Sequence, residues 1–339
     1  MKSIATTLAH AVFLFVGLFQ YWIFRTNNSK AHRAMIYFFC KSGGKFNDLC
    51  NQLISLRRKE PLSLAPVGVL GDVTGPRGEQ VLNQLNERGY VIFERALPPE
   101  LCQRLMAFAL KTPALIRPMD GEHVSKQPRF AIFDPEHPSA VRYDYLANEL
   151  LANGDVQTLL ADHSILSLAE RYLGTRPRFD ILSMWWHTNF HSQPDSEAAQ
   201  YFHFDLDRLK WLKVFVYLTD VGPDDGPHSF IAGSHVSDGI PQKLLAKGYV
   251  RLSDEEVEAH YGADQEIQFN APSGTIIIED TRGLHKGNAV RGKHRLILQF
   301  QLSNSLFGAV YPKYQLPDLV VPSLKSVITQ YSDVYQAYR

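Results

Sequence analysis

A chain of 339 residues, 45% hydrophobic and 21% charged, has the composition of an ordinary globular protein. Its formal net charge of zero gives no sign of a nucleic-acid partner. Its three cysteines, with no C-x-x-C pair, argue against a disulfide scaffold or a structural zinc site and favour a reducing, cytoplasmic setting for the folded part.

The chain begins with an uncharged apolar run, Ile4–Phe24. Its 21 residues are about the number that crosses a hydrocarbon core of ~30 Å. Through position 50 the run is followed by one acid, Asp48, and by these bases: Arg25, Lys30, Arg33, Lys41 and Lys45. Positive charge is usually retained on the cytoplasmic side. We therefore expect residues 1–30 to form a single membrane-associating helix, with the folded domain that follows facing the cytoplasm.

Three states of this helix stay open. A helix that spans the membrane is favoured, but it could instead lie in the interface or pack on the protein. Thr6, Thr7, His10 and Gln20 interrupt the apolar run and weaken the spanning interpretation. A cleaved signal peptide fits less well, because Lys2 alone precedes the run and no small-x-small site follows it.

Residues 31–75 are predicted to be a basic juxtamembrane segment with a short helix at about 46–58, followed by a linker rich in proline and glycine. The main folded domain is predicted to occupy residues 76–339. No internal repeat or low-complexity tract divides it.

This domain is predicted to open with helices. Apolar spacing predicts a helix that ends at Gly89, followed by the short strand YVIF. A second helix is expected over residues 98–110, with proline in the first turn, where no hydrogen bond is lost. A further helical region is expected at about residues 143–172.

From Arg176 onward the pattern changes to strands. FDILSMWWH, LKVFVYLTDV, GTIIIED and RLILQFQLS are rich in β-branched and aromatic residues and are bounded by turn residues. They predict an α+β chain with a mainly β core, a sandwich or barrel flanked by helices. Alternation does not say which face of LKVFVYLTDV lines the interior. Residues 236–264 are interpreted as an insertion that covers the barrel mouth, and residues 322–338 as a packed helix.

A candidate metal centre lies in two of these segments. In the extended stretch YFHFDLD, His203 and Asp205 are two residues apart and point to the same side. His285, after strand GTIIIED, can complete a three-ligand face that leaves room for a bidentate keto acid and O₂. Arg295 begins the next strand, where its guanidinium can grip a distal carboxylate. An H-x-D pair alone is a weak signal; the combination is much stronger.

These segments resemble the phytanoyl-CoA dioxygenase family of Fe(II)- and 2-oxoglutarate-dependent oxygenases. The resemblance covers about residues 80–310 and is carried by LNERGYVIFERALPPELC, HFD, KVFVYLTDV, GPHSFIAGSH, the SGT turn and the H-x₉-R pair. It implies a double-stranded β-helix, a jelly-roll or cupin-like barrel. It also implies Fe(II) held by His203, Asp205 and His285, with Arg295 anchoring the co-substrate 2-oxoglutarate and ascorbate as an optional reductant.

Two positions depart from the family pattern. The usual PGSH is AGSH here, through Ala232, which should change a turn rather than the chemistry. Gly287 stands two residues after the distal histidine, where a hydroxyl residue is usual. This puts a second side-chain contact to 2-oxoglutarate in doubt. Asp205 is intact, which argues against a halogenase-type site.

Other histidines are weaker ligand candidates. His235 is expected to close the GSH turn by a hydrogen bond, and His228 to lie in a loop or pocket. His187 and His191 follow a strand, where an i, i+4 pair does not share a face as it would on a helix. His294 should face away from the arginine that follows it.

The expected reaction is oxidation of a C–H bond in a small-molecule, lipid or lipid-linked substrate, with hydroxylation as the default. O₂ and 2-oxoglutarate would be consumed, and succinate and CO₂ released. One alternative is a membrane-anchored β-sandwich that binds a ligand or partner without turnover. Another is a cupin-like metalloenzyme, which normally has more histidines in its first motif than HFD supplies.

Overall fold

The structure, a computed structural model, describes residues 2–56, 60–119, 121 and 127–338. The helices are α1 (Lys2–Phe24), α2 (Ser29–Ser42), α3 (Lys45–Ser55), α4 (Gly75–Arg88), α5 (Pro99–Ala109), α6 (Ala147–Ala152), α7 (Gly154–Leu160), α8 (His163–Leu173), α9 (Gln242–Leu245), α10 (Asp254–Glu258) and α11 (Pro322–Gln330). The strands are β1 (Val67–Gly68), β2 (Gly71–Asp72), β3 (Tyr90–Phe93), β4 (Ala114–Ile116), β5 (Phe130–Ala131), β6 (Arg142–Asp144), β7 (Arg178–His187), β8 (Trp211–Tyr217), β9 (His228–Ile231), β10 (Glu266–Gln268), β11 (Ile276–Glu279), β12 (His285–Gly287) and β13 (Arg295–Ser303).

The larger sheet has eight strands in the order β3-β11-β8-β13-β7-β6-β4-β5. Its side chains alternate between two cores. Val214 and Val216 of β8 join the core formed with the outer helices, whereas Phe215 and Tyr217 face the second sheet. Lys213 lines the cavity on that same side. Alternation in the sequence did not decide which face of β8 lines the interior. In the structure it is the face with Lys213, Phe215 and Tyr217.

The smaller sheet has the order β10-β9-β12. The extended stretch at Phe202 and His203 continues it through bridges to Leu252 and His285. A core of aromatic and aliphatic side chains, including Trp185 and Ile277, fills the space between the two sheets. Two facing antiparallel sheets of this kind form a jelly-roll barrel, and the expected fold class is confirmed.

The outer helices agree in part with the predictions. Helix α4 ends at Gly89, whose φ of 85° is the left-handed conformation that glycine adopts without strain. The region at 143–172 is not one helix but β6 and three short helices. Asn153 and Asp162 interrupt it because their side chains accept hydrogen bonds from backbone N–H groups and so begin new helices. The helix expected over residues 322–338 forms only as α11, Pro322–Gln330, with Val327 in the outer core, and residues 331–338 are not helical.

Helices α2 and α3 pack on one end of the barrel. The Phe39 ring lies 5.7 Å from that of Phe204, and the buried Asn47 donates a hydrogen bond of 3.0 Å to the Leu209 carbonyl. The range 31–75 thus contains two helices with barrel contacts where a linker with one short helix was expected. The domain boundary at residue 76 stays a prediction.

Helix α1 is long and apolar enough to cross a membrane by length and composition, but one of its faces lies along the protein. Leu14 is buried there, and a Cβ on Gly17 would lie 2.1 Å from the Ala31 Cβ, so only glycine permits this approach. The Tyr21 hydroxyl accepts a hydrogen bond of 3.0 Å from the Leu306 N–H.

The polar residues of α1 lie on this inner face. The hydroxyls of Thr7 and Tyr37 are 2.7 Å apart, and the His10 ring stacks on Tyr37 at 4.2 Å. The outer face is apolar, and of the exposed side chains between residues 4 and 24 only Thr6 is polar. Its large exposed side chains are Ile4, Leu8, Val12, Phe13, Phe15, Val16, Phe19, Trp22, Ile23 and Phe24.

A buried ion pair follows strand β11. Arg282 and Asp280 are 2.7 Å apart, and the Tyr172 hydroxyl donates a hydrogen bond of 2.6 Å to the same carboxylate. Burial alone would raise the pKa of Asp280, but the Arg282 guanidinium lowers it to about 2. Arg282 also contacts Asp48 of α3 at 2.9 Å. The pair therefore joins the strand end to the helical layers.

We predict that Asp280→Asn lowers the free energy of unfolding by about 3–5 kcal/mol, because Arg282 loses its buried counter-charge. The depressed pKa means that the stabilisation is present at neutral pH and is lost as the pH falls from the unfolded carboxyl's pKa, ~3.9, toward about 2. Urea unfolding at pH 7 and at pH 3 should show the wild-type advantage shrinking at the lower pH. Asp155→Asn, in an exposed pair with Arg104, is the control. An equal loss in both variants would contradict the prediction.

Candidate metal centre and co-substrate pocket

The predicted ligands are brought together by backbone pairing. The N–H of His203 donates to the carbonyl of His285 at 2.9 Å, and the reverse bond measures 2.8 Å. The N–H of Asp205 donates to the Thr281 carbonyl at 2.8 Å. Side chains that are 82 positions apart in sequence therefore share one barrel end.

The three ligand atoms lie within 4.8 Å of one another, as ligands of a single ion must. Asp205 places one oxygen 3.3 Å from the Nε2 of His285 and the other 4.0 Å from the Nε2 of His203. All three residues are buried. Two imidazoles and one carboxylate with open positions form the donor set of non-haem Fe(II) oxygenases.

Both histidines are held in the tautomer that a metal needs. The Nδ1 of His203 is 2.9 Å from the Tyr201 carbonyl, and that of His285 is 2.9 Å from the Gly283 carbonyl. A carbonyl only accepts hydrogen bonds, so each Nδ1 carries the proton. Each Nε2 then presents its lone pair to the space beside Asp205.

The charges of the triad also suit a cation. Burial, together with the neighbouring His285, holds the pKa of His203 well below its ordinary value, so this ring is neutral at physiological pH. Burial would raise the pKa of Asp205, but Lys213, whose ammonium donates to it at 2.5 Å, and the two histidines hold that pKa well below its ordinary value. The carboxylate therefore stays ionised inside the barrel.

A cavity of about 300 Å³ extends from the triad between the two sheets. Cationic side chains outnumber the carboxylates around it. Asp205 and Asp207 are the acids in its lining, and the cationic side chains are Arg142, Lys213, Arg251 and Arg295. An anion bound beside a metal ion is favoured in such a field.

Arg295 is 1% exposed and pairs with no carboxylate of the described residues. One guanidinium nitrogen donates to the Gly226 carbonyl, a second lies 2.7 Å from the Nδ1 of His187, and its Nε has no partner there. A buried cation without a counter-ion is costly. The site is therefore suited to a carboxylate ligand.

His187 is the residue that sequence reasoning missed. A guanidinium only donates, so the Nδ1 of His187 accepts and its proton lies on Nε2, a buried atom without a partner in the described chain. A Cβ on Gly287 would lie 3.3 Å from an Arg295 nitrogen and 3.7 Å from the His187 ring. The signal that could have identified His187 is the register of β13 against β7, in which Arg295 lies directly opposite His187.

The remaining histidines lie outside the triad. His228 lines the cavity, as expected of a pocket residue, with its Nε2 2.9 Å from Glu279. His294 faces away from the cavity and contacts the Pro135 carbonyl at 2.9 Å. His235 is buried elsewhere, and the hydrogen bond that closes its turn comes from Ser234.

A model of the phytanoyl-CoA dioxygenase family matches residues 85–296. No curated protein matches the chain. Similar solved structures include the α-ketoglutarate-dependent epimerase SnoN of nogalamycin biosynthesis, at 18% identity and a TM-score of 0.45, covering 66% of this chain and 82% of that one. HygX from Streptomyces hygroscopicus, with nickel and 2-oxoglutarate, has 14% identity and a TM-score of 0.44, covering 73% and 93%. EctD from S. alaskensis, with bound Fe, has 18% identity and a TM-score of 0.45, and the match covers 73% of this chain and 80% of EctD.

We predict that His203→Ala, Asp205→Ala and His285→Ala each weaken Fe(II) binding by at least about 100-fold, more than the ~10–100-fold typical of residues that only orient a ligand. The fold should survive, because these side chains lie at the barrel end. Iron content after dialysis and thermal unfolding measure the two effects. His235→Ala, a buried histidine outside the triad, is the matched control. Retention of iron by His285→Ala with loss in His235→Ala would refute the assignment.

Proposed function

The chain belongs to the phytanoyl-CoA dioxygenase family of Fe(II)- and 2-oxoglutarate-dependent oxygenases, and we propose that it hydroxylates a C–H bond of an apolar or lipid-type substrate at a membrane surface. One observation carries the proposal: the candidate ligand atoms of His203, Asp205 and His285 share a cavity with the Arg295 guanidinium, which pairs with no carboxylate of the described residues. Fe(II) and 2-oxoglutarate are the cofactors of this class.

Bound iron would supply the oxidant that converts a C–H bond of the substrate to C–OH, with one atom of O₂ in the product, the other in succinate, and CO₂ released from 2-oxoglutarate. The protein contributes position and charge. The Nε2 atoms of His203 and His285 and a carboxylate oxygen of Asp205 would hold the metal. Lys213 keeps that carboxylate ionised and fixes its orientation through the 2.5 Å hydrogen bond.

The distal carboxylate of 2-oxoglutarate is assigned to Arg295 and His187. The Arg295 Nε–H and the His187 Nε2–H are donors without acceptors in the described structure. A carboxylate between them would satisfy both groups and neutralise the guanidinium. Burial and Arg295 hold the pKa of His187 well below its ordinary value, so the ring donates as a neutral group. In this assignment His187 supplies the contact that a hydroxyl residue at position 287 would otherwise provide.

The direct test is succinate release. Iron-loaded protein should convert 2-oxoglutarate to succinate slowly without a substrate, and His203→Ala should abolish that conversion. Iron-loaded protein that binds 2-oxoglutarate but releases no succinate, alone or with amphiphilic substrates, would instead support the ligand-binding alternative. Because the assay follows the co-substrate, it detects the activity even while the substrate is unidentified.

We predict that Arg295→Leu weakens 2-oxoglutarate binding by about 1.5–3 kcal/mol, the range for a hydrogen bond to a charged group. Arg295→Lys should recover part of this, because an ammonium keeps the charge but lacks the fork. His187→Phe should lose about 0.5–1.5 kcal/mol for one hydrogen bond from a neutral donor. Calorimetric titration of anaerobic Fe(II) protein measures each value. His294→Phe, on the opposite face of the strand, is the control. Unchanged 2-oxoglutarate affinity in Arg295→Leu would contradict the assignment of Arg295 as the carboxylate anchor.

We also propose that α1 lies in the plane of the membrane interface. Its inner face is bonded to the protein through Thr7 and Tyr21, and its outer face is apolar. A spanning helix would have to break those contacts and place Thr7 and His10 in lipid, which is costly. An amphipathic helix at the interface keeps them. The cytoplasmic orientation remains a prediction from the basic residues.

The in-plane arrangement predicts that full-length protein pellets with membranes and that an N-terminal epitope tag is digested from the same side as the catalytic domain. Phe15→Glu with Phe19→Glu should release the protein into the soluble fraction without loss of iron, because the carboxylates face lipid. Leu319→Glu, at an exposed apolar residue elsewhere, should remain with membranes. Protection of the tag on the opposite side would establish a spanning helix instead.

A further inference from the structure

An apolar groove of about 570 Å³ lies beside the catalytic domain, between α2 and the insertion. Its walls come from two elements, and His10 of α1, which stacks on Tyr37, lines one edge. The α2 residues are Ile36, Tyr37 and Cys40, and the insertion residues are Leu245, Ala246, Gly248 and Tyr249. The volume is within the ~300–1,000 Å³ typical of small-molecule sites.

The groove is connected to the metal ligands by shared lining residues. Tyr249 also lines a second cavity, of about 160 Å³, together with Val250, Arg251 and His203. Arg251 and His203 in turn line the barrel cavity. Three neighbouring cavities that share lining residues therefore lie between α2 and the candidate iron site. The Tyr249 ring contacts Phe204, which lies between the two ligands His203 and Asp205 in sequence, at 5.6 Å.

We propose, resting on the function above, that this groove holds the apolar chain of the substrate, a long-chain amphiphile taken from the membrane on which α1 lies. The chain passes Tyr249 and Arg251 and presents a carbon to the metal at His203. Tyr249 and Val250 are 47% and 42% exposed. Covering them with an alkyl chain would remove apolar surface from water, which stabilises the complex.

The rim of the groove selects the headgroup. Arg33 and Lys41 line it. Lys41 donates to Thr7 at 2.7 Å, whereas Arg33 has no hydrogen bond or ion pair within the described ranges. No carboxylate appears in the lining. An anionic amphiphile is therefore favoured over a cationic one of the same length.

The test is photo-crosslinking of the full-length Fe(II) protein in vesicles with palmitate that carries a diazirine in the middle of its chain, the part that would lie in the groove. Label should map to residues 33–41 and 242–250. Ala246→Trp places an indole in the groove and should reduce this labelling by about tenfold, since the chain loses burial of roughly two methylenes. Ala259→Trp, at an equally exposed alanine outside the groove in the same insertion, should label as the wild type does.

The outcomes separate this inference from the oxygenase assignment. Ala246→Trp should still bind iron and 2-oxoglutarate and release succinate, and His203→Ala should still be labelled in the groove. Label confined to the outer face of α1, or unaffected by Ala246→Trp, overturns the groove while leaving the oxygenase intact. If Ala246→Trp also loses iron, the wild type provides the test instead. Failure of unlabelled palmitate to reduce labelling of the wild-type groove would then overturn the groove proposal. Equal labelling by a chain with a trimethylammonium head removes the selection assigned to Arg33.

Discussion

The site depends on one pair of backbone hydrogen bonds, between His203 and His285. The stretch with the first two ligands is not a long strand, and its immediate neighbours lie in loops. Its pairing with β12, at 2.9 and 2.8 Å, is what places His203 opposite the distal histidine. Two residues after His203, the Asp205 N–H donates to the Thr281 carbonyl. Because alternate side chains of an extended segment point to the same side, the three candidate ligands converge on one point. A shift of this register by one residue would turn the ligands away from each other.

Charge explains why the rest of the cavity has its composition. Among the described residues, Arg295 has no carboxylate counter-ion inside the barrel, and Lys213 pairs with the candidate ligand Asp205. Burial raises the pKa of Glu279 to about 8, so this side chain adds little negative charge below that pH. Such an arrangement is poorly compensated by the protein alone. A dicarboxylate bound beside the metal would give Arg295 a counter-ion, and its second carboxylate together with Asp205 would offset the charge of the divalent cation. The cofactors are thus part of the electrostatic balance of the fold as well as of the reaction.

The sequence predicted the fold class, which is confirmed, and it predicted the candidate triad that the structure brings together. Both predictions used local rules: strand alternation, turn residues and a motif whose spacing places two side chains on one face. The sequence could not predict His187, since the contact with Arg295 arises from register between β7 and β13, more than a hundred residues apart. Local rules also did not predict the breaks in residues 143–172. Asn153 and Asp162 are residue types that can begin a helix, but the sequence alone does not show that they do so here. The role of α2 and α3 was also hidden, because their partners Phe204 and Leu209 lie far along the chain.

The polar residues of α1 connect membrane attachment to substrate access. As a linear run, Thr7, His10 and Gln20 only weaken the case for a spanning helix. In three dimensions Thr7 and His10 bind Tyr37 of α2, and Tyr37 is a wall of the apolar groove. The helix proposed to meet lipid therefore also contacts the element that shapes the groove. A helix that left the protein to cross the bilayer would give up both the hydrogen bonds and this wall, so an in-plane helix and a groove that opens beside the membrane are one arrangement, and they should be gained or lost together.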